Sequence, residues 1–239
     1  MIFLIYALKN SPIISSPLFH LFYPHTCIGC GSDVLSSENF LCLQCLHDLP
    51  RTNFAMHKNN AVEKHFWGRV AIAAAMSEFY FSKGSMIQNM IHEFKYRGNK
   101  KAGIYFGNLM GKSLLNSTRF NVDVIVPLPL FPKKEKARGF NQAEILCQGI
   151  SEIINTPVIA QNVIRKVATE TQTKKHRVER WKNVEDIFEV KDPGKLEGKK
   201  ILLVDDVITT GATIDACGSE ILNIKEVTLF VASFAFATN

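Results

Sequence analysis

Ile201-Leu202-Leu203-Val204-Asp205-Asp206-Val207-Ile208-Thr209-Thr210-Gly211-Ala212-Thr213 is the stretch from which the fold can be read. From Lys200 to Val204 the chain turns continuously apolar, as a strand covered on both faces requires. Two carboxylates follow at its carboxyl end, then a Thr/Gly turn, then a helix predicted over Thr213–Leu222. A turn that opens a helix presents backbone N–H groups without helical partners, which makes it a cradle for phosphate. Thr209, Thr210 and Thr213 add hydroxyl donors, and Gly211 lets the backbone approach an anion closely. Asp205 and Asp206 would repel a phosphate unless they serve another group. Ribose hydroxyls or a metal ion, one sugar away, meet that need. No GxxxxGK[ST] occurs and no GxGxxG follows a strand, so a P-loop and a dinucleotide fingerprint are excluded. The competing reading is a capped helix after a strand, with two incidental aspartates.

Outward from this segment, strands and helices alternate. Strands are predicted over Val70–Phe81, Val122–Pro127, Val158–Ile164 and Val227–Phe236. Ile87, Met90, Ile91 and Phe94 recur at helical spacing up to Gly98, a second helix follows over about Lys101–Leu115, and Asn141 caps a third running to Ile154. Residues 166–183 show no apolar period and read as a long loop. The pattern is α/β with a mostly parallel sheet flanked by helices, and ligands of such sheets lie at the carboxyl ends of the strands. Cys147 and Cys217 sit on apolar helix faces and read as core.

Near the N-terminus, Cys27-Ile28-Gly29-Cys30 and Cys42-Leu43-Gln44-Cys45 make two CxxC pairs. Each pair can take two corners of one tetrahedron, and four thiolates close the shell around a structural Zn²⁺. Disulfides, an iron–sulfur cluster and redox pairs are the alternatives. Disulfides conflict with a cytoplasmic chain, and a thioredoxin-type site uses one CxxC. His25 and His47 lie beside the pairs and can substitute for a ligand. The domain reading is a lead and zinc-ribbon module over 1–50, a polar linker over 51–69 and an α/β domain over 70–239.

With 46% hydrophobic and 21% charged residues, the 239-residue chain falls outside the disordered class. No apolar run reaches the roughly 20 residues of a membrane span. Met1–Leu8 has no basic residue before it and ends at Lys9-Asn10-Ser11-Pro12, so it reads as a packed lead rather than a secretory signal, and the expected compartment is cytoplasmic. The net charge of +6 gathers in Lys83–Lys101, Lys133–Arg138 and Arg165–Lys182, windows placed in loops, which points to an anionic partner. A solvated, lysine-rich surface is the bland alternative.

The segment 201–213 resembles the phosphoribosyl-pyrophosphate (PRPP) signature of type I phosphoribosyltransferases: an apolar strand, two acidic residues, then T-T-G-x-T. The whole chain is similar to the ComF family, which is linked to natural competence and the handling of incoming DNA. That similarity rests on the Cys₄ module, His92-Glu93-Phe94-Lys95-Tyr96-Arg97-Gly98, Pro127-Leu128-Pro129, Arg138-Gly139-Phe140-Asn141-Gln142, and Thr171-Gln172-Thr173 with Arg177. The resemblance implies that Asp205 and Asp206 hold the ribose hydroxyls and that Thr209, Thr210, Gly211, Ala212 and Thr213 hold the 5′-phosphate. It makes Lys95, Tyr96, Arg97, Arg138, Gln172 and Arg177 candidates for pyrophosphate or for a hood loop over it, with Mg²⁺ accompanying PRPP. Pyrophosphate displacement at the ribose anomeric carbon is the chemistry implied. The alternative is a protein that keeps the fold without catalysis and binds single-stranded DNA through basic loops, with Tyr96, Phe140 and Trp181 as stacking rings, alongside competence machinery.

Overall fold

The structure, a computed structural model, describes residues 25–33, 39–96, 98–166 and 187–237. The chain divides at Leu49 into two units, Met1–Leu49 and Pro50–Asn239. In the first, a tight turn closes with Gly31 N–H donating to the Cys27 carbonyl (2.8 Å), and Ile28 N–H donates to the Phe40 carbonyl (3.0 Å). A short helix, α1 (Leu43–His47), follows, with Cys42 as its N-cap.

The second unit opens where the sequence reads as a linker, and that expectation is corrected. Residues 51–69 carry a helix, α2 (Ala61–Phe66), capped by Asn60, whose side chain accepts from Val62 and Glu63 N–H. The Asn60 amide also donates to the Ala75 carbonyl at 2.8 Å, and Val62 and Phe66 are fully buried. Six residues offer too few apolar positions for a helical period to show.

The elements that follow are β1 (Ala74–Phe81), α3 (Met86–Tyr96), α4 (Lys100–Leu115), β2 (Val124–Pro127), α5 (Pro132–Arg138), α6 (Gln142–Ile154), β3 (Val163–Arg165), β4 (Phe188–Val190), β5 (Lys200–Ile208), α7 (Ala212–Leu222) and β6 (Thr228–Ala237). The main sheet has the order β1-β6-β5-β2, and each neighbouring pair is parallel. The expected mostly parallel sheet flanked by helices is therefore present. The expected strand over 158–164 is broken. Val158 makes an isolated parallel bridge to Ile125, and β3 pairs antiparallel with β4 in a separate two-stranded sheet. Gln161, at φ 60, marks the break, since a left-handed residue cannot continue a strand. The basic run 133–138, placed in a loop, instead forms α5 with Pro132 at its start, where a missing N–H costs nothing.

Helices cover both faces of the sheet. Phe234 stacks on Phe106 of α4 (4.9 Å between centroids) and meets Phe79 edge-on (5.1 Å). Leu229, an odd number of residues away and hence on the other face, packs under Gly218 of α7. α4 and α6 meet almost backbone to backbone. A Cβ on Gly107 would lie 2.3 Å from the Leu146 carbonyl oxygen, and one on Gly149 would lie 2.2 Å from the Ile104 carbonyl oxygen. The Cys147 and Cys217 side chains are fully buried in this core.

Gly107→Ala gains about 1 kcal/mol in helix propensity but must push two backbones apart. It should lower stability by about 1–3 kcal/mol, read as a lower thermal midpoint; an unchanged or raised midpoint would contradict the close approach.

Candidate functional site

β2 and β5 pair only as far as Pro127, opposite Val204, while β5 continues against β6 through Ile208 and Phe236. Leu128 N–H donates to the Val204 carbonyl (2.8 Å), and the chain then leaves the sheet. This early departure opens a crevice at the carboxyl end of β5, where ligands of parallel sheets bind. The last residues of β5 carry Asp205 and Asp206, both half-buried.

The two aspartates are not equivalent. Asp206 is paired with Lys95 Nζ at 2.6 Å from the end of α3. Asp205 accepts the Asp206 backbone N–H (2.7 Å) and, with residues 207–214, lines a small cavity of about 30 Å³ at the Thr/Gly turn. Burial first, then the neighbouring Asp206 charge, push the Asp205 carboxyl up to about 7, against the pull of the Asp206 N–H, Lys95 and Arg138. Arg138, at the end of α5, donates to Gln142 Oε1 (2.7 Å), and its guanidinium lies 5.9 Å from the Tyr96 ring centre. Lys95 and Arg138, distant in sequence from each other and from Asp205–Asp206, thus come together at the acidic pair, with the Tyr96 ring beside Arg138. Arg97, Gln172 and Arg177 lie outside the described residues, as do Trp181 and the rest of the expected hood loop. Phe140, proposed as a stacking ring, is buried between Phe94 (5.8 Å) and Lys100 and offers no face to a base. Tyr96 is 65% exposed and does.

Thr209 and Thr210 are exposed, and Gly211, at φ 70, is the N-cap of α7. The helix ladder opens with Asp215 N–H on the Gly211 carbonyl (2.9 Å), leaving the N–H groups of Ala212, Thr213 and Ile214 outside it. Hydroxyls, free N–H groups and a carboxylate therefore face one small cavity. Behind this loop stand residues that sequence reasoning missed. Arg69 donates to the Thr210 carbonyl (3.0 Å) and pairs with Asp215. Nothing in the stretch 51–69 signals this, because Arg69 is one of several cations in a polar segment and no local pattern sets it apart from Arg51, Lys58 and Lys64.

In the N-terminal unit, the Sγ atoms of Cys27, Cys30, Cys42 and Cys45 lie within 4.8 Å of one another, and all four cysteines are free. Cys30 and Cys42 Sγ are 3.9 Å apart; a tetrahedron with metal–sulfur bonds of about 2.3 Å has edges of about 3.8 Å. Cys42 N–H points at Cys27 Sγ (3.3 Å) and Cys45 N–H at Cys42 Sγ (3.4 Å). Burial pushes the Cys27 thiol up, but the N–H groups of Cys42, Cys30 and Gly29 and the Cys45 thiol outweigh it and hold it at about 7. Burial, then the other thiols, drive Cys45 well up. Four thiolates cannot share this space without a cation, so the donor set fits a closed structural metal site. His25 Nε2–H donates to the Asn39 carbonyl (2.6 Å) and His47 pairs with Asp48, so neither belongs to the cluster.

A parallel α/β unit with an acid-pair-and-threonine loop at the carboxyl end of a central strand, joined to a four-cysteine unit, is the class that the fold and site define. No protein-family model matches the chain. It is 30% identical over 196 residues to the competence protein ComFC of Bacillus subtilis (strain 168), covering 79% of this chain and 74% of that one. It is 28% identical over 183 residues to the DNA utilization protein YhgH of Escherichia coli (strain K12), covering 74% and 76%. Among solved structures, a purine phosphoribosyltransferase from Pyrococcus horikoshii Ot3 aligns with 57% of this chain and 73% of its own, at 20% identity and a TM-score of 0.37. The chain belongs to the ComF family. Among the described residues, no helix is long and apolar enough to cross a membrane.

Two outcomes follow. Stripping metal from the metal-loaded protein should open the 25–49 region while the Pro50–Asn239 unit keeps its melting transition. Thiol reactivity and hydrogen exchange in the two regions check this, and a protected cysteine cluster after verified metal loss would contradict it. Separately, Asp205→Asn removes a carboxylate whose native pKa is raised, so the native state holds its proton when the unfolded chain has lost it. The variant should be more stable than the parent above pH about 7, with the gain shrinking towards about pH 4, where both states are protonated. Denaturation at several pH values checks the sign.

Proposed function

We propose that this chain binds PRPP, carried with Mg²⁺, at the carboxyl end of β5, that it serves competence and DNA utilization, as the names of its relatives suggest, and that it takes part in DNA uptake from the cytoplasm. The observation that carries this reading is the Asp205–Asp206 pair at the end of a buried parallel strand, followed directly by the Thr209–Thr213 loop into α7. In this reading the carboxylates accept the ribose hydroxyls, and Thr209, Thr210, Gly211, Ala212 and Thr213 donate to the 5′-phosphate. Lys95, Tyr96 and Arg138 are the candidates for pyrophosphate in this reading, supported by the Lys95–Asp206 ion pair and by Arg138 beside Tyr96, with Arg97, Gln172 and Arg177 as further candidates.

The chemistry this reading implies is displacement at the anomeric carbon: a nitrogen nucleophile of the acceptor forms the new bond as the C–O bond to pyrophosphate breaks and pyrophosphate leaves, and Mg²⁺ carried with PRPP would supply charge neutralisation on that leaving group. Lys95 neutralises Asp206 in the free protein. As pyrophosphate oxygens attract the ammonium, the Asp206 carboxylate is released to the ribose. Arg138, close enough to lower the Asp205 pKa, adds positive charge on the same side. Positioning and preorganised charge supply catalysis of this type, and no dedicated base is required. Zn²⁺ is the metal proposed for Cys27, Cys30, Cys42 and Cys45, where thiolates without an open position make its role structural.

A second reading, single-stranded DNA binding without transfer, is favoured by one feature. Exposed Lys133, Lys134 and Lys136 on α5 lie near exposed Tyr96 through Arg138, giving backbone contacts and a stacking face.

PRPP with Mg²⁺ should raise the melting temperature of the parent, because ligand binds only the folded state. Asp205→Asn with Asp206→Asn should abolish that shift while the variant still melts cooperatively. An equal shift in the double variant would remove the ribose assignment.

A further inference from the structure

We propose that residues 61–69 form a brace that positions the 209–213 loop, with Arg69 acting through the Thr210 carbonyl and Asp215, and His65 through the backbone of Gly211. The proposal rests on the reading that this loop receives a phosphate group.

Three observations meet here. The Arg69 guanidinium ties together three points: the carbonyl of His65 (3.2 Å) on α2, the carbonyl of Thr210 (3.0 Å) in the loop, and the carboxylate of Asp215 in the first turn of α7. Gly211 is backed by the same segment, since a Cβ there would lie 2.9 Å from the Phe66 ring and 3.0 Å from that of His65. At this seam, His65 Nε2 and Asp215 Oδ1 are both buried with no hydrogen-bond partner among the described residues. Buried polar atoms are rarely left unpaired, and such exceptions gather where function demands a fixed geometry.

The physical need is plain. A loop that cradles phosphate with backbone N–H groups works only if those groups are aimed before the ligand arrives. Thr209 and Thr210 are exposed and Gly211 has no side chain to anchor, so the loop cannot fix itself. Arg69 does so from behind by accepting nothing and donating on several sides, a fork geometry that lysine lacks. Arg69 touches no ligand atom in this account and is a positioning residue.

Amide hydrogen exchange at Asp215 and its neighbours, whose ladder starts on the Gly211 carbonyl, tests the brace in the free protein. Titration with ribose 5-phosphate tests its consequence. Arg69→Ala should speed local exchange at least about tenfold and weaken ribose 5-phosphate by a similar factor, with β5 and β6 still protected. Arg69→Lys should fall between, and Asp215→Asn should give the same local pattern, which guards against a variant that simply unfolds. Unchanged exchange around 209–215 in Arg69→Ala, or faster exchange spread evenly over the unit, would overturn the proposal. Should the parent fail to bind ribose 5-phosphate, the phosphate reading falls, while the exchange data still decide whether the brace exists.

Discussion

Two carboxylates stand side by side at the end of a buried strand, and the site around them is shaped by what that charge requires. Asp205 is pushed towards neutrality by burial and by its neighbour, and Asp206 is held by Lys95 from α3. Either answer is costly for a fold that needs only a strand and a turn. Apolar residues at both positions would extend β5 without repulsion. The pair is therefore best understood as charge kept for a ligand that brings its own hydroxyls and its own metal, with Lys95 as the counter-ion of the free state.

The sheet is what makes such a pair tolerable. β2 leaves the sheet opposite Val204, so the aspartates open onto a crevice instead of another strand. The α4–α6 pair, locked by Gly107 and Gly149, and the phenylalanines against Phe234 hold β5 and β6 from one face. α7 covers the other face and offers its N-terminus to the crevice. Core packing thus fixes where the charges sit, and the charges then fix which side chains can stand beside them. The same principle governs the small unit, where four cysteine sulfurs lie close enough to enclose one metal ion.

Much of this was legible in the sequence because it is local. The apolar run before Asp205 could only be a covered strand, and the Thr/Gly turn could only open a helix. The two CxxC pairs have a spacing that brings four sulfurs together. Long-range pairings were not legible. The sequence makes Lys95 and Arg138 pyrophosphate candidates, yet nothing local shows that the one neutralises Asp206 or that the other lies over Tyr96. Residues 51–69 read as a linker in the sequence but fold as part of the larger unit. α2 buries two apolar residues, too few to show a period, and Arg69 gains its meaning only from Thr210 and Asp215, more than 140 residues along the chain. Phe140, read as a surface ring, is sequestered by Phe94 and Lys100, contacts that sequence spacing does not disclose.

The most direct measurement is a calorimetric titration of the metal-loaded protein with PRPP, with and without Mg²⁺. The account predicts saturable, magnesium-dependent binding of one PRPP per chain in the micromolar range. A folded, metal-loaded protein that takes up no heat under either condition would contradict it, and the acidic pair at the end of β5 would then need another ligand.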